Sequence, residues 1–178
     1  IDDLKVFADH NFKRENDVII VLGKTEGHLT QSIYATELLD FKEGLPPKVD
    51  LKEEKRNGLT VKNIIEKSLI DTCHDISDGG LLVALSEMSM KNEIGFRIDI
   101  DKRNLHYFLF GEDQSRYVIS SKEENADTII SMLNEENITY QIIGKTIKGS
   151  IIVNNEKSEI KEIKDLYENW FNKYLEQD

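Results

Sequence analysis

The sequence has a single cysteine, Cys73, in 178 residues. That excludes an internal disulfide framework and any cysteine-only metal cluster, and it fits a reducing cytoplasm. No apolar run approaches the roughly 20 residues that span a bilayer. The N-terminal stretch "IDDLKVFADHNF" has neither the basic start nor the apolar segment of a secretory signal. Basic residues are outnumbered, 23 Lys and Arg against 34 Asp and Glu, for a net charge of −11. Neither nucleic acid nor a membrane surface is therefore expected as a partner. There is no Walker loop, G-x-S-x-G elbow, H-E-x-x-H or zinc-ligand spacing, so no catalytic residue and no metal-ligand set is assigned. No repeat, low-complexity tract or linker divides the chain, which reads as one domain over 1–178. With no initial methionine, it reads as a piece of a longer protein.

The hydrophobic content, 39% in regular patterns, is enough to bury a core and argues against disorder. "DVIIVLGKTEGHL" predicts a buried strand over Asp17–Leu22 that ends at Gly23, and a helix is expected over Gln31–Leu39. The two prolines, Pro46 and Pro47, make "KEGLPPKVDLKEEKRNG" the best candidate for an internal loop. Val61, Ile64, Ile65 and Leu69 then share a helical face, with Thr60 as N-cap. Leu81, Ala84, Leu85 and Met88 form a second helical stripe, and Phe96, Ile98 and Ile100 alternate as in a strand. "YVISS" predicts another strand, and Ala126, Ile129, Ile130 and Leu133 another helix. "TYQIIGKT" and "GSIIV" predict two strands joined by a glycine turn. Leu166, Tyr167, Trp170, Phe171 and Tyr174 fall on one face of a C-terminal helix and are expected to pack into the core. Helices and strands interleave without strict βαβ order, so an α+β domain with a mostly antiparallel or mixed sheet is expected.

Two constellations bear on function. "CHDISDGGLLVALSEM" places Asp75, Ser77, Asp78, Gly79 and Gly80 directly ahead of a helix. A helix start offers free backbone N–H groups to an anion, paired glycines allow close approach, and the oxygen side chains suit a hard cation beside a phosphate. The same pattern also describes a helix capped by Ser77 or Asp78, with glycines that permit tight packing against a strand. His74, without a second histidine at ligand spacing, reads as a hydrogen-bonded residue. "FGEDQSRY" sets Glu112, Asp113, Gln114 and Arg116 at a strand start. There Arg116 could grip a phosphate or carboxylate, or pair internally with Glu112 or Asp113.

Three blocks together carry a resemblance: "PPKVDLKEEKRNGLTVKNIIEKSLIDTCHDISDGGLLVALSEM", "LFGEDQSRYVIS" and "YQIIGKTIKGSIIV". In order and spacing they resemble the C-terminal end of the synthetase subunit of phosphoribosylformylglycinamidine synthase, also called formylglycinamide ribonucleotide amidotransferase. The similarity runs from about Asp17 to Trp170. It implies an aminoimidazole ribonucleotide synthetase C-terminal-domain-like fold, α+β with a mixed sheet flanked by helices, in the second of two pseudo-symmetric domain pairs. It further implies a cytoplasmic, ATP-dependent ligase of purine biosynthesis, with ATP and Mg²⁺ used by the full enzyme and none firmly expected in this domain. The remaining synthetase domains, a glutaminase subunit and a small accessory subunit are the implied partners.

In the first domain pair of that family a Glu-Ser-Gln segment contacts the ribonucleotide substrate. Glu112, Asp113 and Gln114 correspond to its second-copy version, with Asp113 in place of serine. Asp75, Ser77, Asp78, Gly79, Gly80, Glu112, Gln114 and Arg116 are thus the candidates for a substrate or auxiliary ligand site. The family's Gly-Gly-Ser-Glu-Tyr-like segment reads Thr30, Gln31, Ser32, Ile33, Tyr34 here, and only Ser32 and Tyr34 match. The alternative readings are a noncatalytic scaffold or docking module for the sister domains or glutaminase, or a related synthetase or kinase domain of the superfamily.

Overall fold

The computed structural model describes residues 6–101, 103 and 105–175. Strand β1 (Val18–Leu22) is buried on both faces, as an unbroken run of β-branched and aliphatic residues requires. It lies inside a seven-stranded sheet with β2 (Thr72–Asp75), β3 (Ile94–Ile98), β4 (Tyr117–Ser121), β5 (Tyr140–Lys148), β6 (Ser150–Val153) and β7 (Glu156–Glu159), in the order β2-β4-β1-β5-β3-β6-β7. All pairings are antiparallel except β3 with β6. Gly149, at φ +70°, joins β5 to β6 as the glycine turn predicts. The two strands are nevertheless not neighbours, because β3 lies between them.

The period-two alternation of the strands sorts the helices into two layers. Val18, Ile20 and Leu22 of β1 pack with Ile119 of β4 against α1 (Leu51–Glu66) and α4 (Glu123–Glu135), through Val61, Ile64, Ile129 and Leu133. Ile19 and Val21 face the other way, joining Phe96, Ile98 and Ile151 beneath α2 (Gly80–Met90) and α3 (Leu105–Phe110), through Leu81, Leu85, Met88 and Leu109. The start of α5 (Ile160–Leu175) closes this second layer with Ile160. Each fully buried Leu or Ile of these layers contributes about 1.5–3 kcal/mol. The expected mixed sheet flanked by helices is the architecture found.

Several local expectations give way to tertiary context. Thr60 is not an N-cap: it lies buried inside α1, whose cap is Asp50, accepting hydrogen bonds from the backbone N–H of Lys52 (2.9 Å) and Glu53 (3.2 Å). The polar half of the predicted loop, from Leu51, is therefore helix, and only the part before Asp50 is irregular. The helix expected over Gln31–Leu39 shrinks to one π-helical turn, Tyr34–Leu38. Leu166, Tyr167, Trp170, Phe171 and Tyr174 are not core, since Trp170 is 60% exposed and the others are exposed as well. The seated contacts of α5 come from Ile160 and Ile163, and the same apolar face continues past the layer it packs on. A second exposed apolar set, Leu38, Leu39, Leu45 and Leu51, lies on and beside the stretch before α1.

The N-terminal segment is tied to the α1–β2 connection by an arginine fork. Arg14 donates to both carboxylate oxygens of Asp71, at 2.6 and 2.8 Å, and its guanidinium also lies 3.1 Å from Asp17. Hydrogen bonds from Arg14 hold the Asp71 carboxyl below its ordinary value of 3.8. Such a group contributes stability that is fully present above the unfolded-state value and is lost as pH falls through the folded-state value. Burial pushes Asp17 the other way, so its charged form costs stability at neutral pH and that cost is relieved on acidification. The Asp71 side chain is 44% exposed, which limits the gain to about 1 kcal/mol. Asp71→Asn is expected to lower the urea midpoint at neutral pH and to flatten its decline in acid. An unchanged acid slope in the variant would remove Asp71 as its source.

Candidate functional site

The two motif blocks meet at one edge of the sheet. Strand β2 carries Thr72–Asp75 and pairs with β4, and the pairing extends one step further through the Ile76 N–H to the Arg116 carbonyl, 3.0 Å. "ISDGG" and "EDQSR" are thereby adjacent. The four residues Ser77–Gly80 form a tight turn closed by the Gly80 N–H on the Ser77 carbonyl, 3.0 Å. Gly79 and Gly80 both have positive φ, +79° and +73°, the left-handed region that favours glycine. At Gly80 there is a second constraint: a Cβ would lie 2.7–2.8 Å from the backbone of Leu109 and Phe110. The expected close packing of the glycines is thus against the end of α3 rather than a strand.

The structure decides the helix start in neither of the ways the pattern predicts. The N-cap of α2 is Gly79, and no side chain caps it, so Ser77 and Asp78 are not capping residues. Both are exposed, as is Asp75. Glu112 supplies the acceptor instead: its Oε1 receives the Gly79 N–H at 2.8 Å and, on the other side, the Ile33 N–H at 2.8 Å. A carboxylate of the chain therefore stands beside the start of α2, on the N–H of its N-cap residue.

Asp113 and Arg116 are turned inward. The Asp113 carboxylate accepts three successive backbone N–H groups, from Glu26 (3.1 Å), Gly27 (2.9 Å) and His28 (3.1 Å). Arg116 is 2% exposed; it donates to the carbonyls of Gly111 and of Asp113 (3.2 Å), with its Nη1 3.4 Å from the Thr25 hydroxyl. Of the two expected internal pairs the one present is with Asp113, at 3.9 Å. Burial lowers the Arg116 pKa from its ordinary value, and the two neighbouring carboxylates work against that shift. Gln114 is exposed.

His74 is half-buried, its Nδ1 3.1 Å from Asp75 and its Nε2 3.1 Å from Glu87 on α2. Burial pushes the Cys73 thiol up to about 12, which removes it as a nucleophile.

Sequence reasoning missed Asn57 and the partners of Tyr34, which complete this edge. Asn57 of α1, fully buried, donates to the Ser115 carbonyl at 2.9 Å and holds Ser115 at φ +62°. Tyr34 stacks on Phe110 at 4.6 Å, and its hydroxyl lies 2.9 Å from His106 Nδ1. These partners lie 58 and 72 residues apart in sequence, beyond any local pattern, although the aromatic identity of Tyr34 was a signal that could be followed.

The Gly79 N–H is already bonded to Glu112, the Arg116 guanidinium is spent on carbonyls, and among the described residues no three carboxylate, histidine or cysteine side chains converge to hold a metal. The exposed polar side chains left around the turn are Asp75, Ser77, Asp78 and Gln114.

The mixed sheet flanked by helices is shared with known proteins. The chain belongs to the family described as AIR synthase related protein, C-terminal domain, whose model matches residues 14–154. It is 35% identical, over 98% of its length, to the phosphoribosylformylglycinamidine synthase subunit PurL of Rhodopseudomonas palustris (strain BisB5), and covers 24% of that protein. The chain thus spans about a quarter of the length of the curated relatives it matches. Among solved structures it superposes on Thermotoga maritima PurL complexed with FGAR with a TM-score of 0.74 at 17% identity, covering 90% of this chain and 30% of that one. The ATP complex of the same protein gives 0.69 at 15% identity, with 90% and 28% covered. PurLQS from the same organism gives 0.71 at 17% identity, with 89% and 27% covered.

Proposed function

We propose that this chain is the C-terminal domain of the second repeat in a phosphoribosylformylglycinamidine synthase. It would form a single domain over 1–178 and serve the ATP-dependent conversion of formylglycinamide ribonucleotide and ammonia to formylglycinamidine ribonucleotide in cytoplasmic purine biosynthesis. The observation that carries this reading is the identity with PurL along almost the whole chain, joined to the meeting of both motif blocks at one sheet edge. In this reading ATP and Mg²⁺ belong to the remaining synthetase domains, in keeping with a Gly79 N–H bonded to Glu112 and an Arg116 guanidinium bonded to carbonyls. ATP in the complex of the Thermotoga maritima protein supports nucleotide use by the full enzyme. A vestigial or auxiliary ligand would meet Asp75, Ser77, Asp78 and Gln114, which are exposed around Gly79 and Gly80, rather than Glu112 or Arg116.

By itself the domain is catalytically silent, since phosphoryl transfer needs ATP, metal and acceptor positioned together. Its contribution is as a docked module, and the exposed apolar residues of α5 and of the stretch before α1 favour that role. No helix is long and apolar enough to cross a membrane among the described residues. The docking partners are the remaining synthetase domains, with the glutaminase and small accessory subunits in the assembly. PurLQS, the name of one structural neighbour, is in keeping with such a multi-part complex.

The test assays the 178-residue chain with formylglycinamide ribonucleotide, ATP and ammonium, alone and with the remaining synthetase domains. No turnover alone and restored turnover in the mixture are expected. Trp170, the one tryptophan, is exposed, so its emission should shift to the blue as the partner covers α5. Turnover by the chain alone at the full enzyme's rate would overturn the division of labour.

A further inference from the structure

We propose that Glu112 and Asp113 are positioning residues: together they clamp the Lys24–Asp50 stretch to the body of the domain and to the Gly79–Gly80 turn, and they act through backbone rather than by touching a ligand. The stretch needs such a clamp. It contains one π-helical turn and no strand of the sheet, so its N–H groups cannot be satisfied by a ladder. Its side-chain bonds Thr30 to the Leu45 carbonyl and Gln31 to the Lys42 carbonyl join the stretch to itself, shaping it without attaching it.

Attachment comes from residues 106–113, with Arg116 adding a 3.4 Å contact to the Thr25 hydroxyl. Between them the two carboxylates accept five backbone N–H bonds, three on Asp113 from Glu26, Gly27 and His28, and two on Glu112 from Ile33 and Gly79. The Glu112 N–H in turn donates to the His28 carbonyl at 2.9 Å. Hydrogen bonds to an ionised acceptor are the strong ones, and a carboxylate's two oxygens suit several N–H groups at once. Packing points the same way, independently of these bonds. A Cβ on Gly27 would sit 2.5 Å from the Tyr107 Cβ, and one on Gly111 would sit 2.9 Å from the Gly27 Cα. Two glycines thus bring the backbones close enough for Asp113, whose side chain is 8% exposed, to reach three consecutive N–H groups.

A carboxylate kept for a ligand would leave its oxygens open to it, whereas both Asp113 oxygens are used; the Glu112 Oε1 is shared between two chain segments.

The experiment reads amide hydrogen exchange residue by residue on the free chain, without substrate, so its outcome is independent of the activity proposed above. In Asp113→Asn the amides of Glu26, Gly27 and His28 should exchange faster, and in Glu112→Ala those of Ile33 and Gly79, each by about tenfold. The β1 amides Ile19, Ile20 and Val21 should stay within about twofold of their original rates. Glu112→Gln keeps an acceptor oxygen but loses the charge, so Ile33 and Gly79 should rise by a few-fold only. Should Glu112→Ala fail to fold, the same criterion is read on Glu112→Gln. Acceleration that is equal in the loop and in β1 would make the pair an ordinary contributor to global stability and overturn the clamp. Unchanged exchange at all five clamped amides would overturn it as well.

Discussion

Arg116→Met is expected to destabilise the folded chain by about 3 kcal/mol, read as the loss in free energy of urea unfolding. Arg116 is almost completely buried, and its guanidinium serves the Gly111 and Asp113 carbonyls and the Asp113 carboxylate. Methionine approximates the volume of the stem but leaves those carbonyls without donors, and the carboxylate without its cation, in a place water does not reach. Arg116→Lys should recover less than half of the loss, since one ammonium cannot reproduce the planar fork. The size of the effect separates two roles for this residue. A ligand-binding arginine is commonly neutral or costly to stability, so its removal leaves the unfolding midpoint unchanged or raises it. A loss below about 1 kcal/mol would put Arg116 back among the ligand candidates.

Gly80→Ala is the second large effect, again about 3 kcal/mol. Two causes add at this position: a φ of +73°, which alanine enters at a cost of about 1–2 kcal/mol, and a Cβ placed 2.7–2.8 Å from the backbone of Leu109 and Phe110. Gly149 separates them, because it has φ +70° with nothing within 4 Å of its would-be Cβ. Gly149→Ala should therefore show the conformational cost alone, about 1 kcal/mol. The difference between the two variants in urea unfolding measures how tightly the turn is pressed on α3. Equal losses would mean that the end of α3 yields freely and that the double glycine serves only its dihedral angles.

Apolar patterning made the core legible: β1 and β4 read as short unbroken buried runs, and α2 and α4 were readable because their buried residues recur at helix spacing. What escaped shares a physical cause. Strand β2 is four residues with one fully buried position, and β7 is exposed throughout, so neither carries an alternation to read. The first half of α1 is rich in Lys and Glu, and its buried residues there and at mid-helix, Asn57 and Thr60, are polar. Their burial is licensed by a Ser115 carbonyl and by an i−4 carbonyl that the local sequence does not announce. The aromatic face of α5 shows the converse, for its pattern reports a surface suited to burial without reporting whether this domain supplies the cover. At the site, the motifs located the turn and the acidic strand entry correctly. The roles of Glu112, Asp113 and Arg116 turned on backbone groups such as those of Glu26–His28, some 85 residues away, which spacing cannot reveal.

The sheet order also governs how the chain is made. Strand β1 pairs with β4 and β5, whose residues lie at 117–121 and 140–148. A ribosome that adds 5–20 residues per second therefore releases "VIIVL" on the order of ten seconds before both of its neighbours exist. For that interval the nascent chain carries an apolar pentapeptide with high strand propensity and no edge to join. Lys13, Arg14, Glu15 and Asp17 stand immediately ahead of it. In the finished fold Arg14 and Asp17 serve an ion-pair network, and before it they flank the strand with charge of the kind that opposes pairing between nascent chains.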